Sequence, residues 1–227
     1  MAFRAVLFDA AETLFTTRGS VGQIYGSIAR QYGSTASDDA IQAAFARQFR
    51  GAGPLSVQDQ KRWWKDVVHR VFTEVGMVDN FDKFFDQLYD RFRDSQGWAL
   101  FPETTEVLAE LKSRSLKLGI ISNFDNRAYS VLRSLEILHF FDAVTLSSET
   151  GYCKPDQEIF NAAVRALGIP SSEVLLVGDS LQDDIEAGIR AGLAAVLIDR
   201  HNRHTTVSSI RRISSLRDLI SLIGPGI

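Results

Sequence analysis

Ala5-Val6-Leu7-Phe8-Asp9-Ala10-Ala11-Glu12-Thr13-Leu14 reads as a buried strand, Phe3–Asp9, that ends on a carboxylate and runs into a turn. A continuous apolar run marks a parallel strand covered on both faces. An aspartate at its carboxyl end lies on the edge where open α/β sheets bind their ligands. Runs of the same kind recur at Lys117–Asn123, Ala143–Ser147, Val174–Asp179 and Ala194–Asp199. Helical patterns fall among them at Glu103–Ser113, Arg127–Glu136, Gln157–Leu167 and Asp183–Ala191, with Pro102 and Pro155 placed for helix entry. Strands alternating with helices predict an α/β fold built on a doubly wound parallel sheet. The polar residues that close those strands then share one edge, the expected active site.

Residues 17–99 break the alternation. They show helical periodicity over Val21–Tyr32, Asp38–Arg50, Gln58–Val75 and Phe81–Asp94 and no convincing strand, punctuated by Gly33, Gly51-Ala52-Gly53-Pro54 and Gly76. The expected organisation is a core of residues 1–16 and 100–227, with residues 17–99 inserted as a helical-bundle cap over the strand ends. Trp63, Trp64, Phe72, Phe81, Phe84, Phe85, Tyr89 and Phe92 read mainly as the core of that bundle. The polar tail Arg200–Arg212 reads as a loop before a last helix near Leu216–Ile223. Its His201 and His204 have no carboxylate or third histidine spaced with them for a metal.

Composition narrows the class. The chain has 227 residues, 45% hydrophobic and 23% charged, and a net charge of -3, which suits an ordinary globular protein. That charge gives no reason to expect nucleic acid or an anionic membrane as partner. No apolar run is long enough to span a bilayer. The absence of a signal-peptide pattern and of an intrachain disulfide, Cys153 being the single cysteine, fits a cytoplasmic location.

Four motifs converge on the strand-end edge. They are Asp9, the Ser122-Asn123 that closes Leu118-Gly119-Ile120-Ile121, Lys154-Pro155-Asp156, and Gly178-Asp179-Ser180-Leu181-Gln182-Asp183-Asp184. In this order, with an insertion after the first strand, they resemble the haloacid dehalogenase-like (HAD) hydrolases over essentially the whole chain. Ile121-Ser122-Asn123-Phe124-Asp125 with Lys154-Pro155-Asp156-x-x-Ile159-Phe160 is most similar to the REG-2-like subgroup. The resemblance implies a Rossmannoid core and Asp9 as nucleophile. It also implies Mg²⁺ bound by Asp9, Asp179 and the backbone carbonyl of Ala11, with Asp184 acting through water or orienting Lys154. Ser122 and Asn123 would hold a phosphate, and Lys154 would offset its charge. The residue types suit that chemistry. A carboxylate can attack phosphorus and divide a hydrolysis into two steps, and a hard divalent cation offsets the repulsion between two anions. The expected substrate is a small phosphorylated metabolite. Each residue also has a duller account: Asp9 as a turn former, Ser122 as a cap, Asp183 and Asp184 as first-turn acids favouring a helix dipole.

In the phosphatases of that superfamily a second aspartate, the general acid and base, stands where this chain has Ala11. A backbone carbonyl survives the change and the proton donor does not, a loss of about 10²–10⁴-fold in rate. Glu12 is adjacent, but on a chain leaving a strand it should face a different side. Two related chemistries also lack that aspartate. The 2-haloacid dehalogenases need neither a protonated leaving group nor a metal, and Arg30 and Arg47 are candidates for their halide-binding arginine. The phosphonoacetaldehyde hydrolases need a cap lysine, for which Lys61, Lys65 and Lys83 are available, and an arginine where Lys154 stands. The acidic fourth motif favours Mg²⁺ and phosphate. The expectation is therefore a Mg²⁺-dependent phosphatase; the alternatives are a dehalogenase-type hydrolase and a catalytically impaired binding protein of the same fold. Cys153 has no histidine in view and reads as an incidental thiol.

Overall fold

The Ala5-Val6-Leu7-Phe8 run forms strand β1 (Ala5–Phe8), and all four side chains are fully buried. The structure, a computed structural model, describes residues 3–52, 58–204 and 210–224. The further strands are β2 (Phe15–Thr17), β3 (Trp98–Leu100), β4 (Lys117–Ser122), β5 (Ala143–Leu146), β6 (Val174–Gly178), β7 (Ala194–Ile198) and β8 (Arg212–Ile213). Six of them make one parallel sheet in the order β5-β4-β1-β6-β7-β8. The chain fills one side of β1 first and then crosses to the other, so the strand order reverses at β1 and β6. Such a reversal opens the crevice in which doubly wound sheets bind ligands.

Contacts divide the chain into two units, residues 1–16 with 100–227 and residues 17–99. The first unit holds the six-stranded sheet. Its helices are α5 (Thr104–Ser113), α6 (Arg127–Ser134), the single turn α7 (Ser147–Thr150), α8 (Gln157–Leu167), α9 (Ala187–Arg190) and α10 (Arg217–Ile223). Helix α8 shows how the sequence sets such an element. The Asp156 carboxylate accepts the Glu158 N–H at 2.9 Å to start it, and Gly168 ends it in the left-handed region at φ 64°. Its Ile159, Phe160, Ala163 and Leu167 pack with Ala5, Leu7, Val174 and Leu176 of the sheet. These spacings place one apolar stripe against the core.

The second unit contains α1 (Val21–Ala29), α2 (Asp38–Arg50), α3 (Gln60–Val75) and α4 (Phe81–Arg91). Ser20 and Gln23 close a capping box at the start of α1, and Ser37 and Asp59 cap α2 and α3. Phe72, Phe84 and Phe85 sit in its buried core with Ile28, Ile41, Val68 and Leu88, while Trp64, Phe81, Tyr89 and Phe92 pack against that core partly buried. The bundle reading of the aromatic residues therefore describes most of them; Trp63 stands edge-on to Trp64 at 4.9 Å.

Several boundaries differ from the sequence expectation. Residues 17–99 do carry strand: β2 and β3 pair as a two-stranded sheet where the chain leaves the first unit and returns to it. Strands of three residues are too short to register as an alternating pattern. The polar tail likewise hides β8, whose Arg212 and Ile213 pair with Leu197 and Ile198 of β7. Ser147 starts a helical turn instead of ending a strand. The helix expected over Asp183–Ala191 begins as a π-turn, Leu181–Glu186, before α9. Gly53 and Pro54, and the tail residues 205–209, lie outside the described residues. Among those described, no helix is long and apolar enough to cross a membrane.

Candidate active site

The register of the sheet brings three of the four motifs together. Phe8 aligns with Ile120 on one side and Val177 on the other. Asp9, one residue on, donates its backbone N–H to the Val177 carbonyl at 2.9 Å. Ser122 therefore ends one neighbouring strand and Asp179 follows the end of the other. Lys154 enters from the loop after α7. Asn123 positions it: the Asn123 side-chain amide accepts the Lys154 backbone N–H at 2.7 Å and donates to the Lys154 carbonyl at 2.9 Å. The Asn123 side chain is thereby engaged in holding the lysine loop, which leaves its backbone N–H as the group it could offer a phosphate. Ser122 is buried at the sheet edge, 4% exposed.

The Lys154 ammonium donates to Asp9 Oδ1 and to Asp184 Oδ1, both at 2.6 Å. Asp184 also accepts the Ser180 backbone N–H at 3.0 Å, while Ser180 Oγ caps Asp183. The π-turn turns Asp184 inward, where it is 1% exposed, and leaves its neighbour Asp183 more open. Gly178 is required beneath it: a Cβ there would lie 2.4 Å from the Asp184 carboxyl carbon. Oxygens of Asp9, Asp179 and Asp184 all fall within 4.8 Å of one another. Three carboxylates thus face one lysine.

That imbalance governs the electrostatics. Burial pushes Asp9 up to about 6; Lys154 opposes the rise and Asp184 adds to it. Asp179 goes further, to about 8, through burial first and then the charges of Asp9 and Asp184, with a smaller push from Glu12. Burial works against the charge on Lys154, but Asp184 and Asp9 outweigh it and hold the ammonium firmly protonated. Among the described residues this is the one group of acidic, histidine or cysteine side chains with the spacing to hold a metal ion. A divalent cation fits it chemically, because all the donors are oxygens and the three carboxylates, once ionised, outnumber the one lysine.

The turn after β1 decides the surroundings. Glu12 adopts φ 63°, a left-handed conformation that costs a non-glycine residue roughly 1 kcal/mol or more. Its N–H bonds the Phe15 carbonyl and its carboxylate accepts the Thr16 hydroxyl at 2.7 Å. The turn's backbone bonds end on the carbonyls of Ala10 and Phe15 and not on that of Ala11. Glu12 also lines a cleft shared with Asp179, whose carboxyl its charge helps to raise.

Sequence reasoning missed the residues that brace this edge. Arg127 clamps Asp125 with contacts of 2.8 and 3.0 Å, both side chains 8% exposed, which fixes the segment after Ser122. Asp125 preceding a helix was the legible signal, since its carboxylate also accepts the Arg127 N–H. Arg200 donates to Glu103 at 2.6 Å and to the Thr13 carbonyl at 2.9 Å and lies over the Phe101 ring at 3.5 Å. No spacing in the chain joins residues 13, 103 and 200. Four of the other candidates form ion pairs of their own. Arg30 pairs with Asp38, Arg47 with Glu74, Lys61 with Asp86 and Lys65 with Asp82, all inside the helical unit. Burial, then Asp156 and Asp183, raises the Cys153 thiol, which suits an inert cysteine.

Comparison with known proteins agrees with this geometry. Residues 3–192 match the family model described as haloacid dehalogenase-like hydrolase. The chain is 30% identical to haloacid dehalogenase-like hydrolase domain-containing protein 3 of Danio rerio, over 89% of this chain and 88% of that protein. It is 28% identical to a glyceraldehyde 3-phosphate phosphatase of Methanothermobacter thermautotrophicus, over 86% and 85%. The L-2-haloacid dehalogenase of Xanthobacter autotrophicus, solved with chloropropionic acid covalently bound, superposes with a TM-score of 0.75 at 18% identity over 97% and 98% of the two chains. At that identity the likeness shows the fold.

Proposed function

As the chain belongs to the haloacid dehalogenase-like hydrolase family, and is a hydrolase, we propose that it is a Mg²⁺-dependent phosphatase of a small phosphorylated metabolite. The observation that carries this reading is the third carboxylate. Lys154 neutralises the charge of one carboxylate, and Asp179 is left beside Asp9 and Asp184 with its pKa raised to about 8. A site that needs no cation gains nothing from such a group, whereas a metal-dependent one requires it. Asp9, Asp179 and the Ala11 carbonyl would hold the ion, with Asp184 behind them. When bound, Mg²⁺ supplies positive charge that lets an anionic nucleophile approach an anionic phosphate.

The protein's own groups then divide the work. Ionised Asp9 attacks phosphorus; the P–O bond to the leaving group breaks and an aspartyl-phosphate forms. Ser122 donates to a phosphate oxygen and Lys154 offsets the charge that Asp9 shares with the phosphate. Asn123 keeps that lysine in place by holding its backbone. Ala11 has no proton to give, so the leaving oxygen takes one from solvent, and water then attacks the acyl phosphate to release phosphate and regenerate Asp9. Esters with good leaving groups, such as aryl and acyl phosphates, lose least by this arrangement.

A screen of phosphate esters with Mg²⁺ and with chelator tests the reading. Hydrolysis that needs the cation and vanishes in Asp9→Asn is expected. Chloride release from 2-chloropropionate that is indifferent to chelator would instead establish dehalogenation, the second reading, which Ala11 favours. If no ester is hydrolysed and Asp9→Asn leaves ligand binding unchanged, the phosphatase assignment is wrong.

A further inference from the structure

A cleft of about 70 Å³ opens beside the carboxylate triad, lined by Glu12 and Asp179 together with His201, Arg203 and His204. A cleft of this size accommodates a small polar group such as a carboxylate. The loop bearing the basic residues is built onto the sheet. Asp199, buried at the end of β7, accepts the backbone N–H groups of Arg203 and His204 at 2.8 and 2.9 Å and pairs with Arg212 at 3.0 Å. Burial works to raise Asp199, but those donors hold it below the ordinary carboxylate range. Arg200, next in sequence, is bound to Glu103 and the Thr13 carbonyl. Both ends of the turn are thereby fixed and their charges balanced. Arg203 is different: its guanidinium makes no ion pair among the described residues, and it lines the cleft with two imidazoles.

We propose that Arg203, with His201 and His204, forms a subsite for a second anionic group of the substrate, so that the enzyme prefers short phosphate esters carrying a carboxylate. This rests on the phosphatase reading. The substrate phosphate belongs at Asp9, an oxygen of which lies within 4.8 Å of Asp179, and Asp179 borders the cleft. Both positions therefore border Asp179, as a short phosphate ester with a second anionic group requires. An arginine recognises a carboxylate with paired N–H donors, and imidazole N–H groups add directional bonds. Of the cleft's carboxylates, Asp199 pairs with Arg212 and Asp179 belongs to the metal-binding triad, while Glu12 accepts the Thr16 hydroxyl and keeps a charge that Arg203 in the same lining offsets.

The matched probes are 3-phosphoglycerate and glycerol 3-phosphate, which have the same carbon chain and differ in a carboxylate against a hydroxymethyl group. Steady-state hydrolysis by the intact protein with Mg²⁺ gives kcat/KM for each. Calorimetric titration of both into the Asp9→Asn protein gives Kd without turnover. A preference of about tenfold for 3-phosphoglycerate is expected in both measurements, a single charge-assisted pair being worth roughly that factor. The ratio should fall to about one in Arg203→Gln and persist in Arg203→Lys. Equal handling of the two esters by the unmodified protein, or a preference that survives Arg203→Gln, overturns the proposal. If neither ester is turned over, the calorimetric ratio alone decides the subsite, and the phosphatase reading is decided separately by the aryl and acyl phosphates of the screen.

Discussion

Replacing Asp179 by Asn exposes the charge imbalance at the site directly. Without a cation, burial and the neighbouring Asp9 and Asp184 lift Asp179 from 3.8 to about 8. A folded-state pKa raised above the unfolded value stabilises the fold fully below the unfolded pKa, and that contribution is lost as pH rises through the folded one. For Asp179 the window runs from about pH 4 to about pH 8. At 1.4 kcal/mol per pH unit, the interval from 3.8 to neutrality amounts to roughly 4 kcal/mol, which its partial exposure brings down to about 3 kcal/mol. Asparagine carries no charge and keeps the shape. In chelator at neutral pH, Asp179→Asn should therefore be more stable than the parent by about 3 kcal/mol, or about 6–12 °C in Tm. Near pH 4 the two proteins should melt together. Mg²⁺ should raise the parent, by about 2.7 kcal/mol at one hundred times its Kd, and leave the variant unmoved. Thermal unfolding across that pH range, with and without Mg²⁺, supplies every term. A stability difference that does not change with pH, or a variant less stable than the parent at pH 8 in chelator, would refute the reasoning.

Lys154→Met should cost about 3–5 kcal/mol in urea unfolding at neutral pH, because it leaves Asp9 and Asp184 buried without their shared cation, and it should abolish turnover. Ala11→Asp should raise kcat on alkyl phosphates by up to about 10²-fold or more and on aryl phosphates much less, measured as phosphate release; no gain on either would mean that the rest of the site is not competent. Glu103→Gln should lower stability by about 1–3 kcal/mol above pH 5, since the carboxylate bonds Arg200, the Ser215 hydroxyl and the Leu216 N–H. Burial works to raise Glu103, but those donors depress its pKa, so its contribution is present above the unfolded value and lost as pH falls through the folded one; the parent and variant melting curves should converge in acid.

Much of this site was legible before any coordinates. Asp9, Ser122, Lys154 and Asp179 each stand at a strand end or in a loop beside one, and parallel strands with both faces buried announce themselves as uninterrupted apolar runs. The choice of Asp184 over Asp183 also followed from helix geometry, since adjacent residues point in different directions. What could not be read was any contact that depends on how loops fold back. That the Asn123 side chain also holds the Lys154 backbone, a partnership across 31 residues, had no signal in the sequence. Strand β8 escaped notice because two residues in a polar tail carry no period, and only the open edge of β7 gives them a partner.

Ala11 marks the division most clearly. The sequence by itself determined that the acid/base carboxylate is missing and that four oxygen- and nitrogen-bearing motifs lie in hydrolase order along an α/β chain, because strand period and residue identity are local properties. Only the tertiary structure decided the charge state of what remains. One lysine reaches two aspartates at 2.6 Å, a third carboxylate is driven to about 8, and a basic loop anchored on Asp199 closes a cleft beside it. Those outcomes depend on distance and burial between residues far apart in the chain, and Coulomb energies in a low-dielectric interior are set by nothing else.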